Sequence, residues 1–286
     1  MKFMQILSFF ISLTVIAFGS MAYANAQDWQ KTDEAKLRLV LANQEQDDEN
    51  LVYKALLQIE LSEDWYSYWR FAGDAGLPLS MTPTEDSGIE AITIKWPIPK
   101  RHEAYDMVSF IYEENINIPV DIQLKADFQD NESYTGRINA FFMVCNMVCV
   151  PQDFTLDLTG FDAQDQQAIN ENTALLKLAE RDLPHKGKLS ALEINTAVLS
   201  KDTLVLAVRA NSSLEHAQVF VDAGDAAIFT AMPEIMPLDT ESTATHALIK
   251  IKAMDGVEDL NADLSGQTIH VVIENGNKAI QRDFTF

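Results

Sequence analysis

The chain has 286 residues and carries 43 Asp and Glu against 21 Lys and Arg, a formal charge of −22. That acidity argues against binding nucleic acid or an anionic lipid surface. Two cysteines are too few for a disulfide-rich scaffold, so the pair needs its own explanation.

The first 26 residues read as a secretory signal peptide. Lys2 gives a positive start, an apolar run extends from Ile6 to Phe18, and 22-AYANA-26 offers cleavage after Ala24 or Ala26. No later stretch approaches the ~18 apolar residues that a membrane span requires. A soluble chain in a bacterial periplasm, without direct membrane insertion, is expected, and that compartment is oxidising.

Most of the remainder alternates apolar and polar residues. In chain order the runs are 37-KLRLVLA-43, 53-YKALLQIELS-62, 91-AITIKW-96, 118-IPVDIQLKAD-127 and 154-FTLDLTG-160. They continue with 203-TLVLAVRA-210, 217-AQVFVDA-223, 246-HALIKIKA-253 and 268-TIHVVIEN-275. Period-2 patterning with frequent turn signals predicts antiparallel β-sandwiches. One segment differs: 163-AQDQQAINENTALLKLAERDL-183 predicts a helix with Ile169, Leu175, Leu176 and Leu178 on its apolar face. The expected fold class is therefore all-β, with sandwich domains at 27–160 and 187–286 joined by a helical connector at 161–186. His216, His246 and His270 in the second half are isolated in sequence, and no chemistry is expected of them.

The chemistry lies in 141-FFMVCNMVCVPQ-152. A disulfide requires Cα atoms roughly 4.4–6.8 Å apart, whereas four steps of regular strand cover about 13 Å. A bonded Cys145–Cys149 pair therefore requires a turn or bulge between them. Asn146 suits one because it tolerates left-handed backbone angles, and Pro151 limits ladder pairing just after. An unbroken strand instead puts Met143, Cys145, Met147 and Cys149 on one face, four sulfurs suited to Cu(I). The two geometries exclude each other. As a staple the pair would contribute only about 2 kcal/mol, since its loop is short. The C-x3-C spacing opens no helix, and no Lys or Arg is adjacent to activate a thiol, so exchange would need a partner carrying its own thiolate.

Other segments bear on the choice. The run 65-WYSYWRFAGDAGLP-78, then 95-KWPIPKR-101, 112-YEENINIPVDI-122 and 144-VCNMVCVP-151, resembles in order and spacing the N-terminal domain of the DsbD family of thiol:disulfide interchange proteins. The likeness is nearest to the branch resembling ScsB, the copper-sensitivity suppressor. It covers about residues 35–160 well and the second β domain loosely. It implies immunoglobulin-like sandwiches, protein-disulfide reductase chemistry at Cys145 and Cys149, and no cofactor. Cys149 would be the attacking thiol and Cys145 the resolving one. Tyr66 and Tyr68 would lie beside the cysteines, and Glu103 and Tyr105 would belong to a cap loop. Ile111 and Glu114-Asn115 stand where glycines are expected. The implied partners are thioredoxin-like periplasmic proteins and a separate membrane-embedded electron donor, because the chain stops at Phe286. Against this stand two rivals: a copper-binding or protein-binding module, and a β-sandwich with a purely structural disulfide.

Overall fold

The computed structural model describes residues 28–47, 50–128, 135–159, 166–238, 244–254 and 256–286; the expected signal peptide lies outside them. Alternating apolar residues give each strand one face to bury, and that requirement builds two sandwiches. The first contains β1 (Gln30–Lys31), β2 (Ala35–Asp47), β3 (Asn50–Leu61), β4 (Tyr66–Gly73), β5 (Ser80–Pro83) and β6 (Ile89–Ile94). It continues with β7 (Lys100–Ala104), β8 (Met107–Glu113), β9 (Asn115–Leu124), β10 (Thr135–Cys145) and β11 (Cys149–Thr159). One sheet has the order β1-β2-β3-β9-β6; the other runs β11-β10-β4-β8-β7, with β5 also on β10. Between them Leu37, Leu57 and Val120 meet Trp69, Phe110 and Phe142 in one buried core.

The helix α1 (Gln166–Ala179) lies across β2 of this sandwich. Its buried residues are Asn172, Leu176 and Ala179, and Asn172 Nδ2 donates to the Leu41 carbonyl at 2.9 Å. The apolar face expected from sequence is thus rotated. Leu175 and Leu178 are exposed, because side-chain amide and hydroxyl bonds from Asn172 and Thr173 to the backbone of β2 set the helix orientation.

The second sandwich comprises β12 (His185–Lys186), β13 (Leu192–Ser200), β14 (Thr203–Ala210), β15 (Gln218–Asp222) and β16 (Glu234–Pro237). It is completed by β17 (His246–Lys252), the short helix α2 (Leu260–Asp263), β18 (Thr268–Asn275) and β19 (Lys278–Thr285). Its sheets have the orders β12-β19-β18-β15 and β13-β14-β17-β16. The architecture is thus two immunoglobulin-like sandwiches with a helical connector, as expected. His270 is not isolated. Register places it between Asp222 on β15 and Asp283 on β19, with its Nδ1 2.7 Å from Asp283 Oδ1. Burial would raise the Asp283 pKa, but hydrogen bonds from His270 and Gln281, with nearby positive charge, together hold it below the usual carboxylate value.

The sandwiches share a packed seam. Phe220 of β15 meets Trp69 of β4 and Phe110 of β8 edge-on, at centroid distances of 6.1 and 5.2 Å. Arg70 Nε lies 3.0 Å from Asp222 Oδ2, with both side chains largely buried. A register shift between Tyr68 and Gly73 brackets the residues of β4 whose side chains make these contacts.

Candidate redox site

Cys145 ends β10 and Cys149 begins β11, and they face each other across the hairpin. Their sulfurs are bonded, with the Cα atoms 4.1 Å apart. The strand is therefore broken at residues 146–148, as the disulfide geometry demands. Among the described residues, left-handed non-glycine backbone does not occur at Asn146. Instead the Asn146 N–H donates to the Val148 carbonyl at 3.1 Å and closes the reversal. Pro151 sits inside β11 opposite Met143 rather than ending the pairing. It is tolerated because β11 is an edge strand whose outer side needs no donor. The break also removes the continuous four-sulfur face, since Met147 lies in the reversal and is 87% exposed while Met143 packs against the cluster around Cys145.

The two sulfurs occupy different surroundings. Cys145 is 0% exposed, packed with Tyr68, Ala72 and Ile111, whereas Cys149 is exposed. The Tyr68 hydroxyl donates to Cys145 Sγ at 3.0 Å and lies 3.9 Å from Cys149 Sγ. Burial, with the neighbouring Tyr66 adding to it, pushes the Tyr68 phenol well above its ordinary pKa. Tyr68 therefore stays protonated and remains a donor. Tyr66 stands opposite Cys145 in the ladder and packs edge-on to Tyr68, 5.7 Å between centroids.

The segment 73–79 closes over Tyr68. Gly73 and Gly76 have φ of 91° and 107°, angles that L side chains rarely adopt. A Cβ at Gly73 would meet the Val108 carbonyl at 2.4 Å, and one at Gly76 would lie 2.2 Å from the Tyr68 ring. Between them Asp74 Oδ2 accepts from the Val108 N–H at 2.8 Å. The spacing G-D-A-G thus lets this loop press directly on the tyrosine that faces Cys145.

Glu103 and Tyr105 lie on the β7–β8 hairpin. Tyr105 and Asp106 have φ of 54° and 60°, a two-residue hairpin turn. Tyr105 is 83% exposed and, with Tyr66, Asn146 and Met147, lines an open groove of about 840 Å³ beside the disulfide. Glu103 is exposed on β7 and is not among the groove residues. The residue of this hairpin that packs on Tyr66 is His102, 4.9 Å between rings, which the sequence did not single out. Glu114, where a glycine was expected, adopts φ 58° and so supplies the same backbone reversal. Among the described residues no group of three or more His, Cys, Asp or Glu could hold a metal ion.

Chemically, the site presents one attackable sulfur at the surface and one buried leaving sulfur beside a hydroxyl donor. A thiolate formed at Cys145 would accept a hydrogen bond from Tyr68 the moment the S–S bond breaks.

Residues 26–160 match the family model "Thiol:disulfide interchange protein DsbD, N-terminal", and residues 182–286 match one described as a domain of unknown function. No curated protein matches the chain. Among solved structures, the N-terminal periplasmic domain of ScsB from Proteus mirabilis is similar at 18% identity and a TM-score of 0.70. The match covers 91% of this chain and 97% of that one. The reduced DsbD N-terminal domain of Neisseria meningitidis aligns at 9% identity and a TM-score of 0.28, over 43% of this chain and 84% of that one.

Proposed function

We propose that the chain is a periplasmic thiol–disulfide interchange protein whose working couple is Cys145–Cys149, a reading supported by the DsbD N-terminal-like domain at residues 26–160. The observation that carries this reading is the asymmetry of the pair: Cys149 exposed at a hairpin tip, Cys145 buried against the Tyr68 hydroxyl. The compartment is supported by the signal-like N-terminus and by the periplasmic origin of the similar ScsB domain.

Reduction begins when a thiolate of a membrane-embedded donor attacks Cys149 Sγ. The Cys145–Cys149 bond breaks, and Cys145 leaves as a thiolate held by Tyr68. The donor's second thiolate then attacks its own sulfur in the mixed disulfide and releases Cys149. Two electrons have moved, and the donor is left as a disulfide. In the second half Cys149 attacks the disulfide of a thioredoxin-like client, expelling one client thiolate. Cys145 then attacks Cys149 Sγ, which restores the internal disulfide and frees the reduced client. Tyr105 and Met147 offer exposed apolar surface beside Cys149 for either partner to cover.

Equilibration of the pair against glutathione tests the reading. A potential near the thioredoxin value, about −270 mV, fits a relay; one below about −300 mV marks a bond that resists reduction and would make the pair a staple.

A further inference from the structure

We propose that the second sandwich acts as a positioning clamp for the redox pair, holding Tyr68 against Cys145 through contacts on both sides of that tyrosine. On its C-terminal side, the next two residues of β4 are anchored across the seam: Trp69 on Phe220, and Arg70 on Asp222. Above it, the 73–79 loop is held by Thr230, whose Oγ1 donates to Asp74 Oδ1 at 2.8 Å. Arg101 Nη1 reaches the Thr230 carbonyl at 2.5 Å, and its Nη2 reaches the Ala231 carbonyl at 3.3 Å, so the residue that grips the loop is itself gripped. Asp74 spends its other oxygen on the Val108 N–H, which ties the clamp to β8. Gly76 completes the path, because its missing side chain brings the loop backbone onto the Tyr68 ring.

Arg70, Asp74 and Arg101 therefore face the second sandwich although all three lie in the segments that accompany the cysteines. A seam meant only for cohesion could use any surface. This one contacts the residues immediately after Tyr68 and the loop immediately over it. The second sandwich thereby acquires a role: it fixes the donor that stabilises the Cys145 thiolate and so helps set how readily the pair is reduced. The purpose of the clamp rests on the exchange reading above, but its operation does not.

The test is the exchange constant of the full chain with dithiothreitol, which is defined whether or not any protein partner exists. Tyr68→Phe removes the donor from the reduced state, so the equilibrium should move about threefold to tenfold toward the disulfide. Thr230→Val should move it the same way by at least about twofold, while Thr230→Ser, which keeps the hydroxyl, should restore the original constant. Asp222→Asn, acting on the other side of Tyr68, should shift it likewise in case the valine variant folds poorly. In a Tyr68→Phe background the Thr230 and Asp222 changes should add nothing. The clamp is refuted if Thr230→Val and Asp222→Asn both keep the parental constant in a folded chain. It is equally refuted if Tyr68→Phe has no effect, or if the seam variants act undiminished without the Tyr68 hydroxyl.

Discussion

At Gly76 a single hydrogen decides how closely the loop can approach Tyr68. Gly76→Ala puts a methyl group 2.2 Å from the ring at a φ of 107°, so the loop or the ring must move. The expected cost is about 1–3 kcal/mol, read as a lowered urea midpoint. The buried phenols make a second prediction. Burial raises the pKa of both Tyr68 and Tyr112 in the folded state. Stability from these groups is fully present below the unfolded value of 10.0 and is lost as pH rises toward their folded values. Denaturant midpoints should thus stay level through neutral pH and fall above about pH 10. The tyrosines' presence near the cysteines came from the resemblance, but the requirement for Gly76 is visible only once the ring is seen beneath it.

For the hairpin β10–β11 the question is what the bond does for the fold. The loop it closes is short, so reduction should lower stability by only about 2 kcal/mol and leave the sandwich folded. Urea titrations with and without reductant measure this; global unfolding on reduction would show the bond to be structural. Nine of the nineteen strands among the described residues were legible because alternation exposes one face and buries the other, as in 37-KLRLVLA-43 and 203-TLVLAVRA-210; the shortest strands and several others were not. β4 was not: in Tyr66–Gly73 consecutive aromatics serve the disulfide, the core and the seam in turn, so no period of two survives. The helix was legible in extent but not in rotation, since Asn172 and Thr173, not leucines, choose its buried side.

Across the whole molecule, the seam makes the sandwiches one mechanical unit. Phe220 is 1% exposed and belongs to the core of the first sandwich as well as to its own strand. Phe220→Ala should cost about 3–5 kcal/mol and split a single calorimetric transition into two. Sequence could not disclose this seam, because Asp74 and Thr230 stand 156 residues apart and neither is unusual alone. Trapping a partner on the exposed sulfur separates an exchange couple from a staple. With Cys145→Ala in place, Cys149 should form a reductant-sensitive mixed disulfide with a thioredoxin-like protein that lacks its own resolving cysteine. Cys149→Ala, which leaves only the buried sulfur, should trap little. If neither variant captures the partner, Cys145–Cys149 is not an exchange couple.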